Sequence, residues 1–357
     1  MPKPLLACLL LTTVCAGQST EGSKPSPTPS RTEHSGDIAR PDSPFAAARL
    51  LSQQGKHDEA LAALRDLQTK SPSTPGLAHE FGILYYKKGD YSQAITSYKK
   101  ALESDPNDRE STQLLGLSYY LTGHPTDAIP YLEKVQTWFP RANVDASYIL
   151  GICYIQSKDY DHARKAFATM YNVTPDSAAA YLFTARMLLR QEFDPIAEDY
   201  AQKAVQLDPR LPMAHFLLGE LYLYKSRIPE ATAAFQKELA LNPAHAETYY
   251  KLGDAYSRAQ NWDEAERLLQ RSIWLDATST GPYILMGKVL LKKGESELAV
   301  RALRHAESMD PSNAMPHQLL GQAYRELGQI EDAERELHLA NESHNDAHEL
   351  KPHPDHP

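Results

Sequence analysis

An all-α chain of stacked helical hairpins is the architecture this sequence predicts, and three observations predict it. A 34-residue period runs through the alanines Ala60, Ala94 and Ala128, the prolines Pro72, Pro106 and Pro140, and the glycines Gly55, Gly89 and Gly123. Within one period the apolar residues recur at helical spacing, as at Ala78, Phe81, Gly82 and Tyr85, which share one helix face. A break at Gly89-Asp90 then separates that helix from a second one beginning near Tyr91. The second helix turns Ala94, Tyr98 and Ala101 inward and ends before Pro106, because proline disfavours helix in the residue that precedes it.

The chain has 357 residues, enough for two ordinary domains or one long repeat array. Hydrophobic residues make up 42% and charged residues 23%, a mixture that supplies a core. The formal charge of -9 repels phosphate backbones, so no nucleic-acid partner is expected.

Residues 1–16 read as a secretory signal peptide. Lys3 precedes an apolar run from Leu5 to Val14, and Val14-Cys15-Ala16 offers a small-residue cleavage site. An uncleaved anchor is one alternative, but the run falls short of the roughly 20 residues that span a bilayer. Lipidation at Cys15 is the other, and there Val14 stands where a small residue is wanted. Cleavage leaves Cys153 alone, excluding an intramolecular disulfide, and in YILGICYI this thiol reads as a buried small hydrophobe. The mature protein is expected to be exported, periplasmic or extracellular, with a bacterial envelope the better fit to so simple a signal. No integral membrane insertion is expected once the signal is removed, because no other apolar run is long enough.

Residues 17–40, rich in Ser, Pro and Thr, are expected to form a disordered tether. Residues 41–345 hold about nine repeats, starting near 41, 75, 109, 144, 178, 212, 246, 280 and 314. After Pro140 the phase slips by a single residue and resumes with Ala163, Ala197, Ala231, Ala265, Ala299 and Ala333. Residues 346–357 form a His-rich polar tail. His344, His348, His353 and His356 read either as metal ligands or as a polar terminus; without Cys partners or a fixed scaffold the terminus is the expectation, so no metal and no cofactor are called.

A small-residue column runs down the first helices: Ala48, Gly82, Gly116, Gly151, Ala185, Gly219, Gly253, Gly287 and Gly321. A mid-helix glycine costs roughly 1 kcal/mol against alanine. Close approach to the alanine of the second helix, with Tyr or Phe filling the flanks, is the expected compensation.

This pattern resembles the tetratricopeptide repeat, whose signature over 34 residues is an aromatic, Leu-Gly, Tyr, Ala, a large residue and a closing Pro. The first repeat departs from it with Ala48 and Leu51, the fifth has Leu188 for the tyrosine, and the seventh has Ala277 for the proline. The resemblance implies a right-handed superhelical solenoid of about nine hairpins, with the first helix of each lining an inner groove. Repeat arrays also need polar ends, and the Glu- and Arg-studded stretch EDAERELHLANESH is expected to serve as its own cap.

No catalytic constellation stands out, and no enzyme is expected. HEFGI at 79–83 lacks the second histidine of a zinc-protease motif, and HELKPH at 348–353 contains a helix-breaking proline. No phosphate loop, nucleotide fingerprint or nucleophile elbow occurs. Asn172 and Asn341 match the glycosylation triplet, but Pro175 follows the first immediately and chance matches are the simpler account.

The resemblance assigns the second, fifth, ninth, twelfth and thirteenth positions of each repeat to the concave surface. The candidate partner-binding groove there comprises Tyr86, Tyr120, Tyr148, Arg186, Arg190, Phe216, Tyr250, Arg258, Lys288 and Lys292, with Leu121, Ile152, Leu182, Tyr224 and Arg325 at matching positions. Exposed aromatics have a solvation cost that a partner would relieve. The Lys and Asn of the family's terminal-carboxylate clamp are absent, their positions holding Ile83, Leu117 and Ile152. The expectation is a non-catalytic scaffold for protein interaction, binding an extended protein or peptide segment. A self-associating envelope assembly or secretion component, hence a homo-oligomer, and an accessory subunit of an envelope enzyme remain the alternatives.

Overall fold

Eighteen α-helices, and no strand, are present among the described residues of the computed structural model, 43–138, 144–191 and 194–349. They pair in chain order into hairpins: α1 (Ala46–Gln53) with α2 (His57–Lys70), α3 (Leu77–Lys88) with α4 (Tyr91–Ser104), α5 (Arg109–Leu121) with α6 (Pro125–Trp138), and α7 (Val144–Gln156) with α8 (Tyr160–Tyr171). The remaining hairpins are α9 (Ala178–Arg190) with α10 (Asp194–Leu207), α11 (Ala214–Tyr224) with α12 (Ile228–Leu241), α13 (Ala246–Arg258) with α14 (Trp262–Leu275), α15 (Thr280–Lys292) with α16 (Ser296–Met309), and α17 (Ala314–Glu326) with α18 (Ile330–Glu349). The chain divides into two compact halves, one ending at Met170 and one beginning at Tyr171. Within each half, a second helix packs on the next first helix and successive first helices touch, as α3 does α5 and α13 does α15.

The glycine column meets chiefly large side chains of the second helix, with the expected alanine in a lesser part. Gly82, Gly116, Gly151, Gly219, Gly253, Gly287 and Gly321 face the side chains sixteen residues on: Tyr98, Leu132, Phe167, Phe235, Leu269, Leu303 and Leu337. A Cβ on Gly116 would come within 2.9 Å of Leu132, and one on Gly82, Gly151 or Gly219 nearer still to the ring it faces. Ala94, Ala128, Ala163 and Ala231 are fully buried, but one turn earlier on the second helix. Each glycine makes room for a large side chain, and the alanine is met only through its carbonyl, Ala265 at 3.4 Å from a Cβ on Gly253 and Ala333 at 3.3 Å from one on Gly321. Where the fifth hairpin has Ala185, the position sixteen on is Ala201; both are fully buried, so bulk has been traded across the pair.

Helix ends follow local chemistry. At eight turns inside hairpins, among the described residues, one residue takes the left-handed conformation that glycine adopts without a Cβ penalty. Gly55, Gly89, Gly123, Gly294 and Gly328 do so at φ from 74° to 82°, whereas Lys158, Ser226 and Gln260 hold φ of 62°, 57° and 59° in the same register. At three junctions between hairpins an aspartate closes the helix. Asp105, Asp208 and Asp276 each accept, through Oδ1, the backbone N–H two residues on, at 3.0, 2.9 and 2.9 Å. Helix α14 therefore ends at Leu275 although Ala277 replaces the proline.

The expected signal peptide and tether lie outside the described residues, as does the phase slip after Pro140, which falls between α6 and α7. The first helix begins at Ala46 and the last runs 20 residues to Glu349, so helix continues into the segment expected to be a polar tail. No described helix is long and apolar enough to cross a membrane.

Candidate functional site

In the C-terminal half, three successive first helices border a cleft of about 390 Å³. Tyr250 comes from α13, Gly281, Ile284 and Lys288 from α15, and Met315, Gln318 and Gln322 from α17. Gly281 admits the Tyr250 ring: a Cβ there would lie 3.2 Å from the ring and from its hydroxyl. Tyr250 is half-buried and its phenol is pushed above the usual value by that burial. Met315 is 50% exposed, and Lys288 and Gln318 are exposed, so the cleft offers an apolar floor with polar rims. Met315, Gln318 and Gln322 were missing from the sequence-based candidates. They occupy the second, fifth and ninth positions of the last repeat, but a search for aromatics and charges passes over methionine and glutamine.

The cations at these positions differ in circumstance. Arg186 is half-buried and Arg190 exposed, one turn apart on α9; Lys288 and Lys292, both exposed, repeat that spacing on α15. None of the four has an ion-pair partner among the described residues. Arg258 is not free: its Nη2 lies 2.9 Å from Asp254 and its Nη1 donates to the Leu223 carbonyl at 3.4 Å. Phe216 corrects the sequence reading outright. It is 3% exposed, with its ring centroid 5.8 Å from Phe235 and 5.4 Å, edge-on, from His245, because the start of the next hairpin covers the fifth position. Ile152 and Leu182 are likewise buried, whereas Tyr224 is 70% exposed.

In the N-terminal half, Tyr86, Tyr120 and Tyr148 are half-buried. Tyr86 meets Tyr91 edge-on at 5.4 Å, and Tyr148 lies 6.4 Å from Phe167. Burial raises the phenol pKa of Tyr86 and Tyr120, so each ring already serves the packing on one side. Cys153 is buried and its thiol is pushed up to about 12, which leaves it protonated and unreactive.

Two polar clusters escaped the sequence reading because their members are distant in the chain. His79 on α3 places Nδ1 2.8 Å from Asp108 and 2.9 Å from the Ser111 hydroxyl, with Glu110 3.5 Å from Nε2. Burial opposes charge on the imidazole, but Asp108 and Glu110 outweigh it and hold its pKa up at about 10. Serine and aspartate share one ring nitrogen here, so the imidazole does not bridge them as a base relaying a proton would. Asp108 also caps α5, accepting the Ser111 N–H at 3.0 Å, and His79 thereby ties the second hairpin to the third. At the other end, Glu307, His317 and Glu336 bring their ligand atoms within 4.8 Å of one another. Arg304 already bridges them, 2.7 Å from each carboxylate, and His317 Nδ1 lies 2.7 Å from Glu336. A guanidinium holds the place where a cation's charge would be wanted.

The geometry has counterparts among known proteins. Family models described as tetratricopeptide repeat match residues 46–117, 216–282 and 284–340, and a model described as anaphase-promoting complex, cyclosome, subunit 3 matches residues 87–170. The human intraflagellar transport protein 88 homolog is 30% identical over 134 residues, covering 35% of this chain and 16% of that protein. TPR repeat-containing protein MJ1428 of Methanocaldococcus jannaschii is 30% identical over 131 residues, covering 37% of this chain and 23% of that protein. The chain thus spans less than a quarter of the length of either. Among solved structures, a crystal structure of MamA is 24% identical, with a TM-score of 0.44, over 46% of this chain and 96% of that one.

Proposed function

The chain belongs to the tetratricopeptide-repeat family, and from that premise we propose that it is a non-catalytic scaffold that holds an extended segment of another protein against its first helices. The observation that carries this is the cleft bordered by α13, α15 and α17, where Tyr250 and Met315 leave apolar surface beside the exposed Lys288. An exposed apolar surface rimmed by polar groups is the usual mark of a binding site. The helices carry it rigidly, so a partner bears only its own ordering cost. The family's common use of such surfaces supports the same reading. We further propose export, on the apolar run from Leu5 to Val14.

A photo-crosslinking residue at Gln318, inside the cleft, against one at Lys237, exposed on α12, tests the reading. A partner polypeptide captured from Gln318 and not from Lys237 is the expected result. Capture from Lys237 alone moves the binding surface off the first helices. A crosslink of Gln318 to a second copy of the chain replaces a partner with self-association.

A further inference from the structure

The first helices of the C-terminal half carry an uneven distribution of charge. Arg186 and Arg190 project from α9 and Lys288 and Lys292 from α15, each pair separated by one turn. Between them, at the same repeat position as Arg186 and Lys288, stand two acids, Glu220 on α11 and Asp254 on α13. Both are internally neutralised: Lys251 lies 3.0 Å from Glu220, and Arg258 lies 2.9 Å from Asp254. Among the described residues the row therefore keeps four cations without an ion-pair partner, in two pairs, with the exposed Glu247 of α13 between them, on a chain whose formal charge is -9.

We propose that this face recognises an acidic segment of polypeptide carrying two carboxylate clusters about nine residues apart, an inference that rests on the reading of the first helices as the partner surface. The separation follows from the fold. Arg186 and Lys288 are three hairpins apart, and α9, α11, α13 and α15 touch in succession. At about 8–10 Å per helix step the two cation pairs stand roughly 25–30 Å apart. An extended chain rises about 3.3 Å per residue, so about eight or nine residues span the gap. Each pair of cations on one helical turn can converge on a single carboxylate cluster. Tyr224, 70% exposed on α11, lies along the same row, and the Tyr250–Met315 cleft opens beside Lys288. An apolar side chain next to the second acidic cluster would fill it.

A polypeptide fits these charges better than a nucleic acid. Phosphates repeat along every nucleotide and call for continuous cations, whereas here an interval whose cations are paired and which carries the exposed Glu247 separates two short basic patches on an acidic protein. Discrete carboxylates at a fixed spacing match that interval, and charge complementarity of this kind sets partner choice and encounter rate more than raw affinity.

Fluorescence anisotropy on the full chain tests the proposal. The probe is a labelled 16-residue peptide with two Glu-Glu pairs nine residues apart and a leucine before the second pair. Its controls are the same peptide with glutamine for each glutamate, a version with the spacing cut to four, and a 16-nucleotide oligothymidylate. Arg186→Ala with Arg190→Ala, and Lys288→Ala with Lys292→Ala, should each weaken binding of the first peptide roughly three- to tenfold at low salt. The loss should shrink as salt screens the charges, since exposed ion pairs are individually weak. With the shortened peptide only one of the two double variants should matter. Equal binding of the glutamine peptide, indifference to both double variants, or tighter binding of oligothymidylate overturns the proposal. A partner captured at Gln318 that ignores the acidic peptide leaves the groove reading standing and removes this one alone.

Discussion

The ring of Phe235 on α12 occupies the space that a side chain on Gly219 of α11 would need. Alanine is favoured over glycine in a helix by roughly 1 kcal/mol, so propensity alone predicts that Gly219→Ala stabilises. Overpacking a filled core costs about 1–3 kcal/mol and should win here, because Phe235 is fully buried and cannot swing away. Gly253→Ala should come closer to neutral, since a Cβ there stands 3.0 Å from a leucine side chain, Leu269, which can shift by a few tenths of an ångström. Urea unfolding of both variants checks the order. Equal midpoints for the two would show that the ring is not what keeps position 219 a glycine.

Lys158, Ser226 and Gln260 sit in the left-handed conformation that glycine takes at the matching turns. Holding a residue with a Cβ there costs about 1–2 kcal/mol. Replacing any of the three by glycine should raise stability by up to about 1 kcal/mol, part of the relief being lost to the greater freedom of glycine in the unfolded chain. A lower melting temperature in all three variants would show that contacts of the original side chains outweigh the backbone strain.

The His79–Asp108 pair makes the stability of the N-terminal half depend on pH in a definite direction. The imidazole pKa rises from its ordinary 6.5 to about 10 on folding, because the two carboxylates beside it outweigh the opposing effect of burial. The pair's contribution is therefore complete below about pH 6.5 and is lost as pH rises through about 10. Asp108, held down at about 2 against the pull of burial by its bonds from His79 and Ser111, adds stability above its ordinary 3.8 that disappears as pH falls through about 2. His79→Gln should melt a few degrees below the parent at pH 6, with the gap closing towards pH 10. A gap independent of pH would mean that packing, not charge, fastens α3 to α5.

A chain expressed from Met1 in a bacterial host should be recovered from the envelope fraction beginning at or near Gly17. N-terminal sequencing reads the result, and an intact Met1 on cytoplasmic protein removes the export proposal.

The hairpins were legible because periodicity is a one-dimensional signal. Ala94, Gly82 and Gly89 recur at fixed distances, and each marks a local event: a buried face, a slot, a turn. What the glycines face was not legible, since Gly82 keeps a fixed spacing to Ala94 and to Tyr98 alike, and only the helix crossing decides which it meets. Burial at the groove positions was misjudged for the same reason. Tyr250 and Phe216 share a repeat position, yet His245 covers Phe216 while Gly281 leaves room beside Tyr250. The His79 and Arg304 clusters join residues about 30 positions apart that no motif connects, so only their geometry reveals them.

Each slot glycine and the side chain it receives are sixteen residues apart, which makes the tightest packing in the molecule local along the chain. Folds dominated by such short-range contacts have low contact order and close in microseconds to milliseconds. Synthesis delivers about 5–20 residues per second, so a 34-residue repeat takes seconds to emerge. The two helices of a hairpin thus have time to meet before its successor exists, but each hairpin covers its outer face only when the next one packs on it, so the array consolidates in the order in which it emerges. A residue that plugs one slot holds up one hairpin and leaves its predecessor without the neighbour that covers it.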